Sequence, residues 1–331
     1  MTAHISLSGS KFAIEDGETV LECLTRNGVH VPHACCAGVC QSCLMRATDG
    51  EIPAAAQAGL KPTYVNQGLF LTCQCKPVGD MTLCPVGGGE LDVPVQVADR
   101  VMLNHNVLCL RLGLEKDFVC EPGQYITLKN RAGVARSYSV ANDPESDGYM
   151  ELHIRLFPGG LMSDFLRTEA EVGAQMIIRG PAGNCFYVSD DAGQFPIVLA
   201  GTGTGLAPLY GIVRRALAKG HTGPIRLFHG ALREADLYLV EQLKRVQGVH
   251  GNFSYIPCVL EGEAGRYYSC GHIEDMVMAS LAGDKQAIRL FLCGAPEFVK
   301  SLKQKAFLAG VRSSHIHSDA FLPTKNVATA A

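Results

Sequence analysis

Three cysteines lie close together in one short stretch of this chain, and a fourth follows further along. Cys35, Cys40 and Cys43 give the spacing C-x4-C-x2-C, and Cys73 is the distant fourth residue. Three thiolates in one loop with a remote fourth is the ligand pattern of plant-type [2Fe–2S] clusters. Gly38 lies inside the loop and lets its backbone approach a bound cluster. The spacing therefore predicts an iron–sulfur site formed by these four cysteines.

Two further cysteines, Cys36 and Cys75, lie beside the predicted ligands. Taking Cys36 as the first ligand would break the spacing. Spacing does not decide whether Cys73 or Cys75 is the fourth ligand, because the long gap before this ligand can vary in length. Zinc sites usually combine two C-x2-C or His-containing arms, and this stretch has one C-x2-C arm. A zinc site and a set of buried structural cysteines stay open as alternatives.

A glycine-rich turn is the second feature that could bind a ligand. The continuous apolar run 196–200 predicts a buried parallel strand, and a helix is predicted from Pro208 to about Lys219. The turn between them reads Gly201-Thr202-Gly203-Thr204-Gly205. Such a turn at a helix N-terminus can bind a pyrophosphate. The run is G-x-G-x-G, not the G-x-G-x-x-G fingerprint, so the turn alone predicts either a nucleotide site or tight packing.

The composition limits the class of protein. The chain has 331 residues, which predicts two or three domains, and its net charge of −3 with no basic run argues against nucleic-acid binding. No apolar window is long enough for a membrane span, and the first residues show no leader pattern. The 14 cysteines in so long a chain do not resemble a secreted disulfide scaffold. A cytoplasmic protein without a membrane partner is expected, and a monomer is favoured.

The secondary-structure pattern divides the chain into three domains. Residues 1–93 predict a small α+β unit of the β-grasp kind, with a helix at Glu18–Asn27. Residues 94–191 show short alternating strands, which favour an antiparallel β-barrel, interrupted by a helix at Leu161–Thr168. Residues 192–331 alternate apolar strands with helices, which indicates a doubly wound α/β domain with a parallel sheet. The predicted fold is thus multidomain, α+β followed by α/β.

The stretch Arg136-Ser137-Tyr138-Ser139 resembles the R-x-Y-S flavin motif of the ferredoxin–NADP⁺ reductase superfamily. Six other stretches extend the resemblance, namely 122–125 (PGQY), 153–155 (HIR), 159–163 (GGLMS), 201–208, 293–296 (CGAP) and 319–321 (DAF). Together with the cysteine loop, the resemblance covers essentially the whole chain. The order of ferredoxin domain, flavin barrel and nucleotide domain is similar to that of the reductase components of bacterial aromatic-ring hydroxylating oxygenases.

The resemblance implies that the barrel binds FAD. Arg136 would pair with the FAD pyrophosphate, since a guanidinium binds phosphate oxygens bidentately. Tyr138 would lie on the isoalloxazine face, and Ser139 would hydrogen-bond to flavin N5. The other implied flavin-binding residues are Ser137, His153, Ile154, Arg155, Gly160, Leu161, Met162 and Ser163.

The resemblance also implies a nicotinamide site. The implied nucleotide-binding residues are Gly201, Thr202, Gly203, Thr204, Gly205, Pro208, Cys293 and Gly294. Cys293 would lie beside the nicotinamide ring and help to orient hydride transfer. Asp319 and Phe321 would flank the flavin, with Phe321 covering the ring face and moving aside for the nicotinamide. Ser139, Cys293, Asp319 and Phe321 are therefore the predicted catalytic residues.

The choice of nucleotide depends on the turn after the predicted strand at 225–229. Arg233 could meet a 2′-phosphate, whereas Glu234 or Asp236 would repel it or bind ribose hydroxyls. Arg233 and Asp236 are both predicted to bind the cofactor. NADH is favoured, and NADPH use is left open.

The function that the resemblance implies is that of an NAD(P)H-dependent oxidoreductase. Hydride would pass from NADH to FAD, and single electrons would pass through the [2Fe–2S] cluster to a ferredoxin or a Rieske-type terminal oxygenase in aromatic compound degradation. Reductases for deoxysugar synthesis and for diiron monooxygenases share this layout, so those acceptors are alternatives. A redox sensor that binds the cofactors without turnover is another.

Overall fold

A computed structural model describes residues 3–60, 64–65, 68–85, 92–114, 118–188, 194–262, 265, 268–281 and 283–322. These residues form three separate sheets, one in each predicted domain. Among the helices formed by these residues, none combines the length and the apolar character needed to cross a bilayer.

The first sheet holds the cysteine loop. Its strands are β1 (His4–Leu7), β2 (Ser10–Ala13), β3 (Leu44–Asp49), β4 (Leu69–Leu71) and β5 (Met81–Pro85). They lie in the order β2-β1-β5-β3-β4, with β1 parallel to β5 and the other pairs antiparallel. Helix α1 (Val20–Arg26) begins with a capping box and packs its apolar face into the core beneath the sheet. This is the expected β-grasp unit, and the loop of three cysteines joins α1 to β3.

The second sheet is an antiparallel barrel. Its elements are β6 (Asp92–Met102), β7 (Val107–Gly113), β8 (Tyr125–Lys129), β9 (Ala135–Ser139), α2 (Pro144–Asp147), β10 (Tyr149–Arg155), α3 (Leu161–Thr168) and β11 (Gln175–Ala182). The order β10-β7-β6-β11-β8-β9 closes where Val140, just after β9, bridges to Leu152 of β10. Asp92 and Val93 belong to β6, so this sheet starts two residues before the boundary predicted from the sequence.

The third sheet is parallel throughout. Its elements are β12 (Ile197–Thr202), α4 (Leu206–Ala218), β13 (Ile225–Ala231), α5 (Val240–Val249), β14 (Phe253–Val259), β15 (Ser269–Cys270), α6 (Ile273–Ser280), β16 (Arg289–Gly294), α7 (Pro296–Leu308) and β17 (Ile316–Ala320). The strand order is β15-β14-β13-β12-β16-β17. Helices α4 and α5 cover one face of the sheet, and α6 and α7 cover the other. The doubly wound prediction is confirmed, and the chain reverses its winding between β12 and β16, where ligands bind in such sheets.

Helix α4 fixes the nucleotide domain against the barrel. Arg214 makes two hydrogen bonds to Asp147 of α2, at 2.9 and 3.0 Å, and Arg215 contacts Asp143 at 2.6 Å. A Cβ atom on Gly211 would lie only 2.9 Å from Pro122, so the glycine allows the helix to approach the barrel closely. Packing and paired charges therefore set the angle at which the two domains face each other.

Candidate flavin, nucleotide and iron–sulfur sites

The four predicted ligand cysteines are all buried. They form two pairs: the contact with Cys40 lowers the pKa of Cys35 to about 5, and the contact with Cys43 lowers the pKa of Cys73 to about 7. The same contacts raise the pKa values of Cys40 and Cys43. No three of these four described sulfurs lie within 4.8 Å of one another. One zinc ion would bring all four to about 3.8 Å, so two separate pairs suit two irons better than one zinc.

The loop backbone is arranged to stabilise thiolate charge. The N–H groups of Ala37 and Cys40 donate to Cys35 Sγ at 3.4 and 3.3 Å, and Gln74 Nε2 donates to Cys73 Sγ at 3.5 Å. Such donors favour the ionised sulfur that a metal ligand requires. Cys75, which the spacing allows as the fourth ligand in place of Cys73, is fully buried. Its Sγ lies 3.9 Å from Met81 Sδ in the ferredoxin core. Its position is that of a packing residue.

A cavity of about 550 Å³ lies between the barrel, the cluster loop and the end of β17. Ten of the eleven predicted flavin-binding residues line it: Arg136, Ser137, Tyr138, Ser139, His153, Arg155, Gly160, Leu161, Met162 and Ser163. Ile154 does not, because its side chain alternates to the other face of β10 and is buried in the barrel core. Ala34, Cys35, Val39 and Cys40 of the cluster loop line the same cavity. A group held there would contact both the barrel and the cluster loop.

Ser139 and Asp319 join the barrel to the nucleotide domain inside this cavity. Ser139 Oγ donates to Asp319 Oδ2 at 3.0 Å. Burial raises the pKa of Asp319 to about 6, although the bond from Ser139 lowers it. Asp319 can therefore exchange a proton near neutral pH beside a bound ring.

The first turn of α3 closes one side of the cavity. Ser163 Oγ accepts the Phe157 N–H at 3.0 Å, so this hydroxyl orders the preceding loop. A Cβ atom on Gly160 would lie 3.2 Å from the same Oγ. The helix start can thus approach a phosphate with its backbone N–H groups.

The imidazole of His153 is part of the domain interface. Its side chain is 0% exposed, and its ring lies 6.1 Å from the Tyr210 ring and 5.4 Å from the Tyr238 ring. His153 Nε2 bonds to Glu151 Oε1 at 2.9 Å, and Arg111 Nε donates to Glu151 Oε2 at 2.9 Å. Burial raises the pKa of Glu151, but these bonds outweigh it and hold the pKa at about 2. Cys109 lies close enough to complete a metal triad, yet the bound Arg111 cation makes this a hydrogen-bonded network instead.

A second cavity, of about 610 Å³, lies at the carboxyl ends of the parallel strands. Six residues of the predicted nicotinamide site line it: Thr202, Gly203, Thr204, Asp236, Gly294 and Phe321. Gly201, Gly205 and Pro208 do not, because they pack the turn against its neighbours. A Cβ atom on Gly205 would lie 2.2 Å from the Cys293 carbonyl oxygen.

Cys293 lines neither cavity, which differs from the position expected beside a nicotinamide. Its side chain is fully buried, and its Sγ lies 3.6 Å from Cys185 Sγ. The reason is the register of β16, in which Phe291 and Cys293 both face the core beneath α4. Neither the cysteine pair nor this orientation carries a local sequence signal.

The far end of the second cavity is acidic. Asp236 and Glu274 line it, and Asp236 Oδ2 accepts the Arg233 N–H at 3.1 Å. The Arg233 side chain lies outside the cavity, is 69% exposed and contacts Glu261 at 3.5 Å. Arg155 is the one Arg or Lys among the described residues that line this cavity. A 2′-phosphate would therefore meet carboxylates at this end.

Four residues line both cavities: Arg155, Phe157, Thr204 and Phe321. The Arg155 guanidinium lies over the Phe157 ring, 5.5 Å from its centroid. The two cavities therefore meet at this junction, where two bound ring systems could contact each other.

Comparisons with known proteins match this arrangement. Family models match in order: a 2Fe-2S iron-sulfur cluster binding domain at 4–78, an oxidoreductase FAD-binding domain at 94–187 and an oxidoreductase NAD-binding domain at 199–304. The reductase component of the naphthalene 1,2-dioxygenase system of Pseudomonas putida is 32% identical over 319 residues, which cover 93% of this chain and 94% of the relative. The chain belongs to the family of oxygenase reductase components. The matching domains confirm the predicted [2Fe–2S], FAD and NAD(P) cofactors of this reductase.

Other relatives cover the reductase equally well. The aromatic O-demethylase reductase subunit of Amycolatopsis is 32% identical over 340 residues, covering 98% of this chain and 99% of the relative. The crystal structure of the Amycolatopsis cytochrome P450 reductase GcoB has a TM-score of 0.68 and 31% identity, covering 97% and 99% of the two chains. The ferredoxin reductase of carbazole 1,9a-dioxygenase, with a TM-score of 0.66 and 23% identity, shows the same fold. The reductase is thus an oxidoreductase with all three expected domains.

Proposed function

We propose that this reductase oxidises NADH and delivers the electrons singly to a ferredoxin or a Rieske-type terminal oxygenase in aromatic compound degradation. With its groups bound, FAD accepts a hydride from NADH and the [2Fe–2S] cluster relays the electrons one at a time, so each NADH yields NAD⁺, a proton and two electrons. One observation carries the proposal: Cys35 and Cys40, the R-x-Y-S motif and Thr204 line a single cavity. The proposed sites for NADH, for FAD and for the cluster therefore adjoin one another.

The barrel residues hold the flavin in this proposal. Arg136 binds the pyrophosphate, and the start of α3 adds backbone donors from Gly160 onwards. Tyr138 packs on the ring, and burial raises its pKa, so it stays neutral there. Ser139 would offer its hydroxyl to the flavin ring, and Asp319, which accepts a hydrogen bond from that hydroxyl, would hold or release a proton.

The nucleotide site supports NADH as the donor. The 202–204 turn would hold the pyrophosphate, and Asp236 would accept hydrogen bonds from ribose hydroxyls at the acidic end of the cavity. Phe321 separates the two cavities until the nicotinamide displaces it. Cys293 packs on Cys185 in the core and so supports the end of β16 beneath the junction of the two cavities.

Cys35 and Cys40 would be the cluster ligands nearest the flavin, since these two cysteines line the flavin cavity whereas Cys43 and Cys73 do not. An acceptor protein would then dock outside this cavity. Mixing the purified reductase anaerobically with NADH tests the proposal. Flavin bleaching followed by the electron paramagnetic resonance signal of a reduced [2Fe–2S] cluster is expected, and its absence would contradict the proposal.

Acceptor proteins then distinguish the alternatives. Sustained NADH oxidation with a Rieske-type oxygenase or its ferredoxin supports the proposed system, whereas turnover only with a diiron monooxygenase or a deoxysugar enzyme assigns another partner. A redox sensor would bleach once and would not reduce even ferricyanide catalytically. The phenol 2-monooxygenase reductase component of Pseudomonas, 29% identical over 309 residues, shows why the acceptor has to be measured.

A further inference from the structure

The cluster loop meets the flavin barrel through two side chains of β8. Thr127 Oγ1 donates to the Cys40 carbonyl oxygen at 2.6 Å. Tyr125 Oη donates to the Val39 carbonyl oxygen. Two consecutive carbonyl groups of the loop are therefore held by two residues of one strand.

The Thr127 bond lies in a buried part of the domain contact. Thr127 is 5% exposed and Cys40 is 4% exposed, so the hydroxyl and the carbonyl group are shielded from bulk water. Removing the Thr127 hydroxyl would take a hydrogen bond from the buried Cys40 carbonyl oxygen, and this loss costs free energy. The Thr127 bond thus favours the docked position of the loop.

The strand geometry makes the two bonds act together. Tyr125 and Thr127 are two residues apart, so their side chains leave β8 on the same face. The Tyr125 ring packs closely against Gly183, since an added Cβ atom on this glycine would lie 2.9 Å from the ring carbons. Two anchors on a rigid strand restrict both the position and the rotation of the Val39–Cys40 peptide.

A small cavity beside Thr127 shows how closely the domains fit. Its volume is about 20 Å³, enough for one water molecule, and Ser42 and Asp92 line it from opposite domains. Ser42 Oγ is buried without a protein partner. On the barrel side of this cavity, Arg179 of β11 contacts Asp92 of β6 at 2.6 Å. The contact is therefore closely packed around Thr127, with room for a single bridging water.

We propose that Thr127 and Tyr125 are positioning residues that hold the Val39–Cys40 peptide, and with it the Cys40 ligand, against the flavin cavity and so set the rate of electron transfer from flavin to cluster. This inference rests on the proposed electron route. Val39, Cys40 and Tyr125 all line the flavin cavity, so a shift of this peptide changes the distance between the two redox groups. Phe321 lines both cavities and Thr127 lines neither, so hydride transfer to the flavin should not depend on Thr127.

The test compares the holoprotein with Thr127→Val, Tyr125→Phe and the control Thr48→Val. Thr48 Oγ1 also donates to a backbone carbonyl, that of Thr82 at 3.2 Å, but lies at the exposed end of strand β3 in the ferredoxin sheet. Stopped-flow spectroscopy measures flavin reduction by NADH and cluster reduction separately. Hydrogen–deuterium exchange of the peptide covering residues 36–42 provides a readout that is independent of activity.

For Thr127→Val we expect about tenfold slower cluster reduction, about tenfold faster amide exchange in residues 36–42 and unchanged flavin reduction. Tyr125→Phe should show the same loss of exchange protection, and Thr48→Val should match the wild type in both readouts. Cluster reduction and exchange in Thr127→Val that both equal those of Thr48→Val would overturn the inference. A wild-type protein whose flavin is not reduced by NADH would instead refute the proposed function.

Discussion

The Phe321 N–H donates to the Gly294 carbonyl oxygen at 2.8 Å, so this aromatic residue, which lines both cavities, is bonded to the end of β16. Its backbone is fixed by this bond, and its ring can move by side-chain rotation alone. Phe321 lies where the two cavities meet, and in the proposed route the nicotinamide enters at this junction.

Phe321→Ala should strengthen NAD⁺ binding, because the nicotinamide no longer displaces a packed ring. We expect an increase in affinity of about tenfold, measured as the NAD⁺-induced change in flavin absorbance. Phe307→Ala removes a ring that is 56% exposed on α7 and is the matched control. Equal affinities in the two variants would show that Phe321 does not cover the site.

Asp236→Asn should shift the preference towards NADPH. The change removes a charge that repels a 2′-phosphate and keeps an acceptor for the Arg233 N–H. We expect the ratio of kcat/KM for NADPH to that for NADH to rise about tenfold, as steady-state kinetics would show. Asp284→Asn has the same chemical change at an exposed turn, where Oδ1 accepts the Gln286 N–H at 3.0 Å, and should leave the ratio unchanged.

Cys73→Ser should abolish cluster assembly, and Cys36→Ala should not. The first change removes half of the Cys43–Cys73 pair, whereas Cys36 lies outside both pairs. Iron analysis should fall from about two atoms per chain to near zero in Cys73→Ser alone. Flavin content and NADH-dependent ferricyanide reduction should persist in both variants, and an iron-loaded Cys73→Ser protein would favour Cys75 as the ligand.

The Asp319 carboxyl should make stability depend on pH. Its pKa is raised to about 6 in the folded chain, chiefly by burial, so the folded state prefers the protonated form. This contribution is complete below the unfolded pKa of about 4 and is lost as the pH rises through about 6. In flavin-depleted protein, the Tm of the wild type relative to Asp319→Asn should decrease from pH 4 to pH 6 by the equivalent of about 2 kcal/mol, and then level off. A constant difference in Tm across this range would place the carboxyl pKa at its ordinary value.

Gly205→Ala should destabilise the nucleotide domain through a clash alone. The residue has φ −59° and ψ −15°, which alanine adopts readily, but a Cβ atom would lie 2.2 Å from the Cys293 carbonyl oxygen. We expect a loss of about 1–3 kcal/mol, seen as a lower Tm, together with weaker NADH binding. Gly251→Ala, at a position with no atom within 4 Å of the added Cβ, should leave Tm almost unchanged. If both variants had the same Tm, the close approach of Gly205 to β16 would make no contribution to stability.

Local sequence patterns predicted the three sheets well. Strand β10 (Tyr149–Arg155) fits the short alternating strands expected within residues 94–191, because its alternating residues divide between the barrel core and the domain interface. The helix expected from Pro208 begins at Leu206, since the short helical turn at Gly203–Gly205 runs directly into it. Spacing and motif, not composition, identified the cluster loop and the flavin cavity.

The features that sequence did not predict depend on contacts between distant residues. Strand β17 has the weakly patterned sequence IHSDA and is a strand because it pairs with β16. The direction of the Cys293 side chain follows from the register of β16, which no local pattern specifies. The bonds from Tyr125 and Thr127 join residues that are far apart in the chain.

Both bonds that tie β8 to the cysteine loop end on main-chain oxygens, which every amino acid carries. The side chains of the loop, other than the ligand cysteines, can therefore be substituted without removing either hydrogen bond. A ferredoxin module from a relative should dock on this barrel as long as its loop follows the same path, so chimeric reductases with new acceptor preferences can be built by exchanging the module and leaving the barrel unaltered.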